Sequence, residues 1–156
     1  MNKRRVVVTG LGTVNPLGNN VSQSWNNLIA GKSGIGNITH FDASNCASRV
    51  AGQVKTGEGE GLLNIEDYIS AKECKKKDRF IQLALIAAQQ AVEDSGWKPE
   101  SEEEKYRSGV IIGSGIGGLP VITNTVAENV ANGKKISPFF IPSVLINLAS
   151  GHVSMK

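Results

Sequence analysis

Gly109-Val110-Ile111-Ile112-Gly113-Ser114-Gly115-Ile116-Gly117-Gly118-Leu119-Pro120 is the stretch that decides the fold class. The apolar, partly β-branched run 109–112 reads as a buried strand. The glycines behind it let the backbone turn sharply and approach its neighbours closely. Pro120 suits the first turn of a helix, so a helix is predicted over 120–131, with Asn132-Gly133 as its stop.

The start of the chain repeats this order. Val6-Val7-Val8-Thr9 reads as a strand ending at Gly10. A loop with Pro16 and Gly18 as breakers leads to Asn20, which is placed to cap a helix from Val21 to Ala30. Val21, Trp25, Leu28 and Ile29 share one face of that helix, and Gly31 ends it. A third, weaker strand is expected around 49–54, and Gly57 to Gly61 reads as a polar, mobile loop. Strand, helix, strand, helix is the pattern of an α/β fold with a parallel sheet. Three strands are few for four helices, so further strands are expected to belong to this fold outside the 156 residues.

Between the two strand–helix units, Ser70-x-x-Glu73 reads as a capping box opening a short basic helix. Asp78 is placed to cap a helix from Arg79 to Asp94, stopped by Ser95-Gly96. That helix is apolar at Phe80, Ile81, Leu83 to Ala88, Ala91 and Val92, wider than one stripe, and is expected to be buried on most sides. Glu100 and Glu102 to Glu104 read as an acidic loop. Ile136-Ser137-Pro138-Phe139-Phe140-Ile141-Pro142 reads as a rigid apolar loop, to be buried at a subunit contact or against an apolar ligand. A last helix is expected from about Ser143.

Composition narrows the function classes. Hydrophobic residues are 40% and charged residues 20%, enough for a core and unlike a disordered tail. The net charge of +3 is low for a nucleic-acid binder. Two cysteines, Cys46 and Cys74, make no disulfide framework and lack zinc-site spacing, which points to a reducing cytoplasm. Met1 to Arg5 resembles the charged end of a secretion signal, but only three valines follow. No apolar run reaches the ~18 residues of a membrane span.

Several motifs carry competing readings. Gly113-x-Gly115-x-x-Gly118 matches a dinucleotide fingerprint, yet no strand-borne acidic residue follows about 20 residues on. The alternative is a tight turn where backbone meets backbone or ligand. Tyr68-x-x-x-Lys72 with Thr9-Gly10-x-Gly12 imitates a short-chain dehydrogenase, in which a lysine lowers the tyrosine pKa; Val14 and Asn15 stand where further glycines belong. Cys74 lies among cations that lower a thiol pKa, but has no histidine near in sequence and reads rather as structural. His40 and His152 read as hydrogen-bonded structural residues. Residues 72–79 carry five positive and two negative charges. Lys72, Lys75 and Lys76 fall at i, i+3 and i+4, one face of a helix, suited to an acidic partner or a phosphate as well as to plain solvent.

Taken together, Lys3-Arg4-Arg5-Val6-Val7-Val8-Thr9-Gly10-Leu11-Gly12, Gly31 to Ile35, Phe41-Asp42, Lys76 to Phe80, Asp94 to Gly96, Gly113 to Gly118, Ile136 to Ser143 and Gly151-His152 resemble the β-ketoacyl-acyl-carrier-protein synthases of the thiolase-like condensing-enzyme family. Ile116, where type I enzymes tend to have glycine, and the Ser137-Pro138-Phe139-Phe140 loop are similar to the type II branch. The matches run in order along nearly the whole chain.

The resemblance implies a thiolase-like fold in layers α-β-α-β-α, with residues 1–156 as the N-terminal part of an incomplete domain. It implies a homodimer and fatty-acid elongation: an acyl chain passes from carrier protein to a cysteine, and decarboxylated malonyl-carrier protein attacks the thioester. No cofactor or metal is implied. Ile116 aligns with the residue gating the acyl pocket, Phe140 with an aromatic on its wall near the dimer contact, and Lys72, Lys75 and Lys76 with the patch that docks acidic acyl carrier protein. The family's nucleophile falls shortly after 151–156, and Cys46, Cys74, His40 and His152 occupy no catalytic position of the pattern. No catalytic residue is therefore carried over, and the 156 residues alone are expected to be inactive and aggregation-prone. Two alternatives remain: a non-catalytic carrier-protein-binding or dimerisation module, and a nicotinamide-dependent dehydrogenase.

Overall fold

The computed structural model describes residues 4–156; Met1 to Lys3, with the first part of the signal-like start and the first residue of the resemblance, lie outside the described residues. In chain order the elements are α1 (Val21–Ile29), β1 (Ile35–Asn37), β2 (Val50–Gly52), a 3-10 turn (Ile65–Asp67), α2 (Ala71–Cys74), α3 (Arg79–Ser95), α4 (Glu102–Tyr106), α5 (Leu119–Asn132), α6 (Phe140–Val144) and α7 (Leu148–Ser154). They form two compact units. Among the described residues, one holds 4–64 and 87–97, the other 65–86 and 98–156, so α3 gives its first half to the second unit and its second half to the first.

In the first unit, Asn20 caps α1 as its sequence implies: its side-chain oxygen accepts from the Gln23 amide at 2.8 Å. The expected strand near residue 50 is β2, paired antiparallel with β1 in the register Ile35–Gly52 and Asn37–Val50. The loop 10–19 is clipped onto the second half of α3. Leu11 N–H donates to Asp94 Oδ2 at 2.9 Å, Thr13 N–H to Gln90 Oε1 at 3.2 Å, and Gln90 Nε2 to the Asn19 carbonyl at 2.8 Å. A Cβ at Gly10 would collide with the Ala91 carbonyl, and one at Gly12 with the Ala87 carbonyl. These glycines are therefore needed where backbone meets helix.

Val6 to Thr9 and Gly109 to Ile112, both expected as strands, make no ladder among the described residues, whose one sheet is the β1–β2 pair. The expected parallel pairing is absent there for a physical reason. A strand is held by hydrogen bonds to its neighbours, and these two segments have no such neighbour. Val6 is 95% exposed and Ile111 99%.

The second unit buries Ile81, Leu85 and Ile86 of α3 with Ile69, Val144 and Ala149. Asp78 caps α3 as expected, its Oδ1 accepting from the Phe80 amide at 3.2 Å. Burial of α3 is narrower than its apolar width implies: only Ile81, Leu85 and Ile86 are fully covered, and Val92 is exposed. The expected acidic loop is instead the helix α4. Ser101 Oγ accepts from the Glu104 amide and Glu104 Oε2 from the Ser101 amide, a reciprocal capping box that fixes one turn. The apolar stretch 136–142 is not a buried loop. It winds into α6, turning Ser143 and Val144 inward while Ile136, Phe139 and Ile141 stay exposed. The last helix is correspondingly divided into α6 and α7.

Candidate functional site

All five candidate residues lie in the second unit. The basic segment is built on α2, a single turn opened by Ser70, whose Oγ accepts from the Glu73 amide at 3.4 Å. The turn closes at once, because the Lys76 amide bonds the Glu73 carbonyl and the Lys77 amide the Cys74 carbonyl, both three residues back. Lys72, Lys75 and Lys76 therefore do not share the face of a continuing helix, which corrects the sequence reading. Lys72 and Lys75 are exposed, while Lys76 is half-buried.

Glu73 organises the segment. Its Oε1 pairs with Lys76 Nζ at 2.6 Å and its Oε2 with Lys77 Nζ at 2.5 Å. Hydrogen bonds from Lys76 and then Lys77 lower the Glu73 pKa to about 2. The Lys77 side chain is almost fully covered. Lys76 Nζ also lies 5.4 Å from the centre of the Phe139 ring, next to Phe140.

Asp78 is buried and binds in three directions. Besides Phe80, its Oδ2 accepts from the Val121 amide in the first turn of α5 at 3.2 Å, and its own amide donates to the Ser143 carbonyl in α6 at 3.3 Å. The glycine turn reaches α6 separately. Gly118 N–H donates to the Val144 carbonyl at 3.0 Å. A Cβ on Gly118 would lie 2.7 Å from Val144 Cα, and one on Gly117 would lie 2.5 Å from the Val144 carbonyl oxygen. Ile116 stands exposed at the tip of this turn, and Phe140 is half-buried at the start of α6. The segments bearing Ile116 and Phe140 are thus fastened to each other and to the end of the lysine segment. Sequence reasoning found Asp78 only as a cap; nothing in the pattern marks Val121 as its second donor.

The competing chemistries lose their geometry. The Gly118 amide, which a dinucleotide reading offers to phosphate, is taken by Val144, and no strand ladder precedes the turn among the described residues. Cys74 is not activated: burial and the nearby Glu66 raise its pKa, outweighing Lys77, and its Sγ lies 3.4 Å from the Ile69 carbonyl. His152 is not the hydrogen-bonded residue expected. Its buried Nε2 has no partner, and burial, then Lys77, lowers its pKa. It borders a hollow of about 260 Å³ with Tyr68, Glu73, Lys77 and Met155. A larger hollow of about 410 Å³ in the first unit runs along β1 and β2 past His40, and none of the five candidates lines it. No described cluster of His, Cys, Asp or Glu is placed to hold a metal, and no described helix is long and apolar enough to cross a membrane.

Comparison with known proteins bears on the family and the fold. The family model of the β-ketoacyl synthase N-terminal domain matches residues 3–156. The chain is 47% identical over 156 residues to the 3-oxoacyl-[acyl-carrier-protein] synthase 2 of Vibrio cholerae, covering 99% of this chain and 36% of that protein. It is 48% identical over 157 aligned positions to the enzyme of the same name from Coxiella burnetii, covering 100% of this chain and 36% of the relative. The chain thus spans about 36% of the length of these relatives. Among solved structures it resembles the ishigamide ketosynthase/chain length factor, with TM-score 0.78 and 24% identity over 99% of this chain and 37% of the other. A β-ketoacyl synthase from Burkholderia phymatum gives TM-score 0.73 and 22% identity over 98% and 36%. These two likenesses bear on the fold, and they agree with the α/β, thiolase-like class expected from the resemblance. The chain belongs to the β-ketoacyl synthase family, as part of its N-terminal domain.

Proposed function

We propose that residues 1–156 form the acyl-chain and carrier-protein side of a β-ketoacyl-acyl-carrier-protein synthase of fatty-acid elongation, acting as a cytoplasmic homodimer. In this reading Ile116 and Phe140 border the path of the acyl chain, and Lys72, Lys75 and Lys76 meet the acidic surface of acyl carrier protein. The observation that carries it is the fastening of the three segments. The lysine segment runs straight into Asp78, which bonds α5 and α6, and the turn bearing Ile116 is bonded to α6, which begins at Phe140. A carrier protein held at the lysines would deliver its acyl group beside both apolar residues. One similar solved structure holds a type II polyketide-synthase acyl-carrier protein in complex with its ketosynthase, a precedent for such a partner.

The chemistry follows from charge and burial. Exposed lysines attract an acidic partner over roughly a Debye length, about 8 Å at physiological salt, and so speed docking. Apolar side chains at the glycine turn exclude water from an acyl chain. Condensation itself, with its cysteine thioester and the stabilisation of a developing oxyanion, is assigned to the synthase as a whole.

The test uses the intact protein that carries this sequence. Lys72→Glu and Lys75→Glu should each weaken carrier-protein binding, with the loss shrinking as salt rises. Ile116→Phe should leave that affinity unchanged and cut transfer of long acyl chains. Charge reversal at both exposed lysines without any change in affinity would refute the docking surface.

A further inference from the structure

Asp78 is a buried carboxylate that the proposed chemistry does not use. Its side-chain and amide bonds do not serve one element. Oδ1 takes the Phe80 amide at the start of α3, Oδ2 takes the Val121 amide in α5, and the Asp78 amide reaches the Ser143 carbonyl in α6. Val121 is the third residue of α5, where an amide has no acceptor within its own helix. Without Asp78 that amide would be left half-buried and unpaired. The two segments joined here carry Ile116, three residues before α5, and Phe140, three residues before Ser143. Immediately before Asp78 come Lys76 and Lys77, locked on Glu73, with Lys76 over Phe139.

We propose that Asp78 is a positioning residue that sets the spacing between the Ile116 turn and the Phe140 segment, and so tunes which acyl-chain lengths the synthase accepts. The proposal rests on the acyl-pocket reading above. It adds that the pocket's width depends on one buried residue, whose carboxylate holds the Val121 amide while its own main-chain amide holds the Ser143 carbonyl. A carboxylate is suited to this because it only accepts, so both oxygens take N–H groups at once. An asparagine in its place keeps one acceptor and turns an N–H toward the second donor.

The first arm needs no variant. In the intact wild-type protein, hydrogen exchange should show the Val121 amide protected as well as Ile122, which bonds the Gly118 carbonyl. Fast exchange at Val121 overturns the proposal. The second arm is Asp78→Asn. Amide exchange should accelerate at Val121 by about tenfold or more, as expected for loss of a hydrogen bond to a charged group, while 139–144 respond less because the main-chain bond from residue 78 to the Ser143 carbonyl is kept. Carrier-protein affinity should stay within about twofold. The ratio of kcat/KM for long over short acyl chains should change severalfold, because the two pocket segments no longer hold one spacing. A uniform fall in kcat/KM at all chain lengths, with the ratio intact, overturns the positioning role. If wild-type protein takes no acyl chain from carrier protein, the acyl-pocket reading fails and the tuning role fails with it. An unchanged ratio with kcat/KM also unchanged at every chain length overturns the tuning role alone.

Discussion

Lys76 holds its ammonium 5.4 Å from the centre of the Phe139 ring while bonded to Glu73 at 2.6 Å. The cation joins the basic segment to the residue before α6. A cation over an aromatic face contributes about 0.5–1 kcal/mol at a partly exposed site. In a double-mutant cycle of Lys76→Met and Phe139→Leu, read by urea unfolding of the intact protein, the coupling should fall in that range. A coupling indistinguishable from zero would show that the contact contributes nothing in solution.

The Glu73 carboxylate predicts an acid-side dependence. Its pKa in the folded chain is lowered to about 2 by hydrogen bonds from Lys76 and Lys77, against an ordinary value near 4.5. A depressed carboxylate stabilises the fold above its unfolded pKa, and that contribution is lost as pH falls through the folded value. The stability contribution should therefore be full above about pH 4.5 and fade toward pH 2. Because Glu73 is partly open to solvent, the effect should shrink with added salt. Carboxyl NMR of the wild type should give a midpoint well below 4, and Glu73→Gln should flatten the stability curve in this window.

The glycine turn makes a positional prediction. Gly118→Ala drives a Cβ to 2.7 Å from Val144 Cα, and Gly117→Ala combines a 2.5 Å clash with a φ of +75°. Each should destabilise by about 1–3 kcal/mol, the usual cost of overpacking. Gly113→Ala and Gly115→Ala meet nothing within 4 Å and should melt close to wild type. A phosphate-cradling turn would instead lose dinucleotide binding at the first glycines of the motif. Melting temperatures of the four variants separate the two roles.

How far the sequence was legible depends on the range of each interaction. Asn20, Ser70 and Asp78 act on amides two or three residues away, and all three caps follow from local chemistry. Gly31, Gly96 and Gly133 all take positive φ at helix ends, again a local property. Val6 to Thr9 and Gly109 to Ile112 have the composition of strands, but pairing is supplied by neighbours, and composition does not fix who those are. The lysines had the right spacing for a helix face, but two i−3 bonds closed the turn at Cys74. The links of Asp78 to Val121 and of Gly118 to Val144 span tens of residues, and no periodicity encodes them. The candidate site was therefore readable as residues, through resemblance, and not as an arrangement.

His152 gives the prediction in which burial outweighs charge. Its Nε2 is buried without a hydrogen-bond partner, and the groups around its hollow are Tyr68, Glu73, Lys77 and Lys156. Burial lowers its pKa below 6.5, Lys77 adds to the shift, and Glu73 opposes it. Protonation would place a charge where no acceptor meets it. As the folded chain binds this proton less readily than the unfolded chain, stability rises with pH across the interval between the two pKa values. The fold should therefore weaken as pH drops from about 6.5 toward the folded midpoint. Imidazole NMR should place that midpoint below 6.5, and His152→Gln should remove this part of the pH dependence while leaving the Glu73 window in place. A midpoint at or above 6.5 would mean that Glu73 reaches the ring closely enough to reverse the balance, and the stability slope should then change sign.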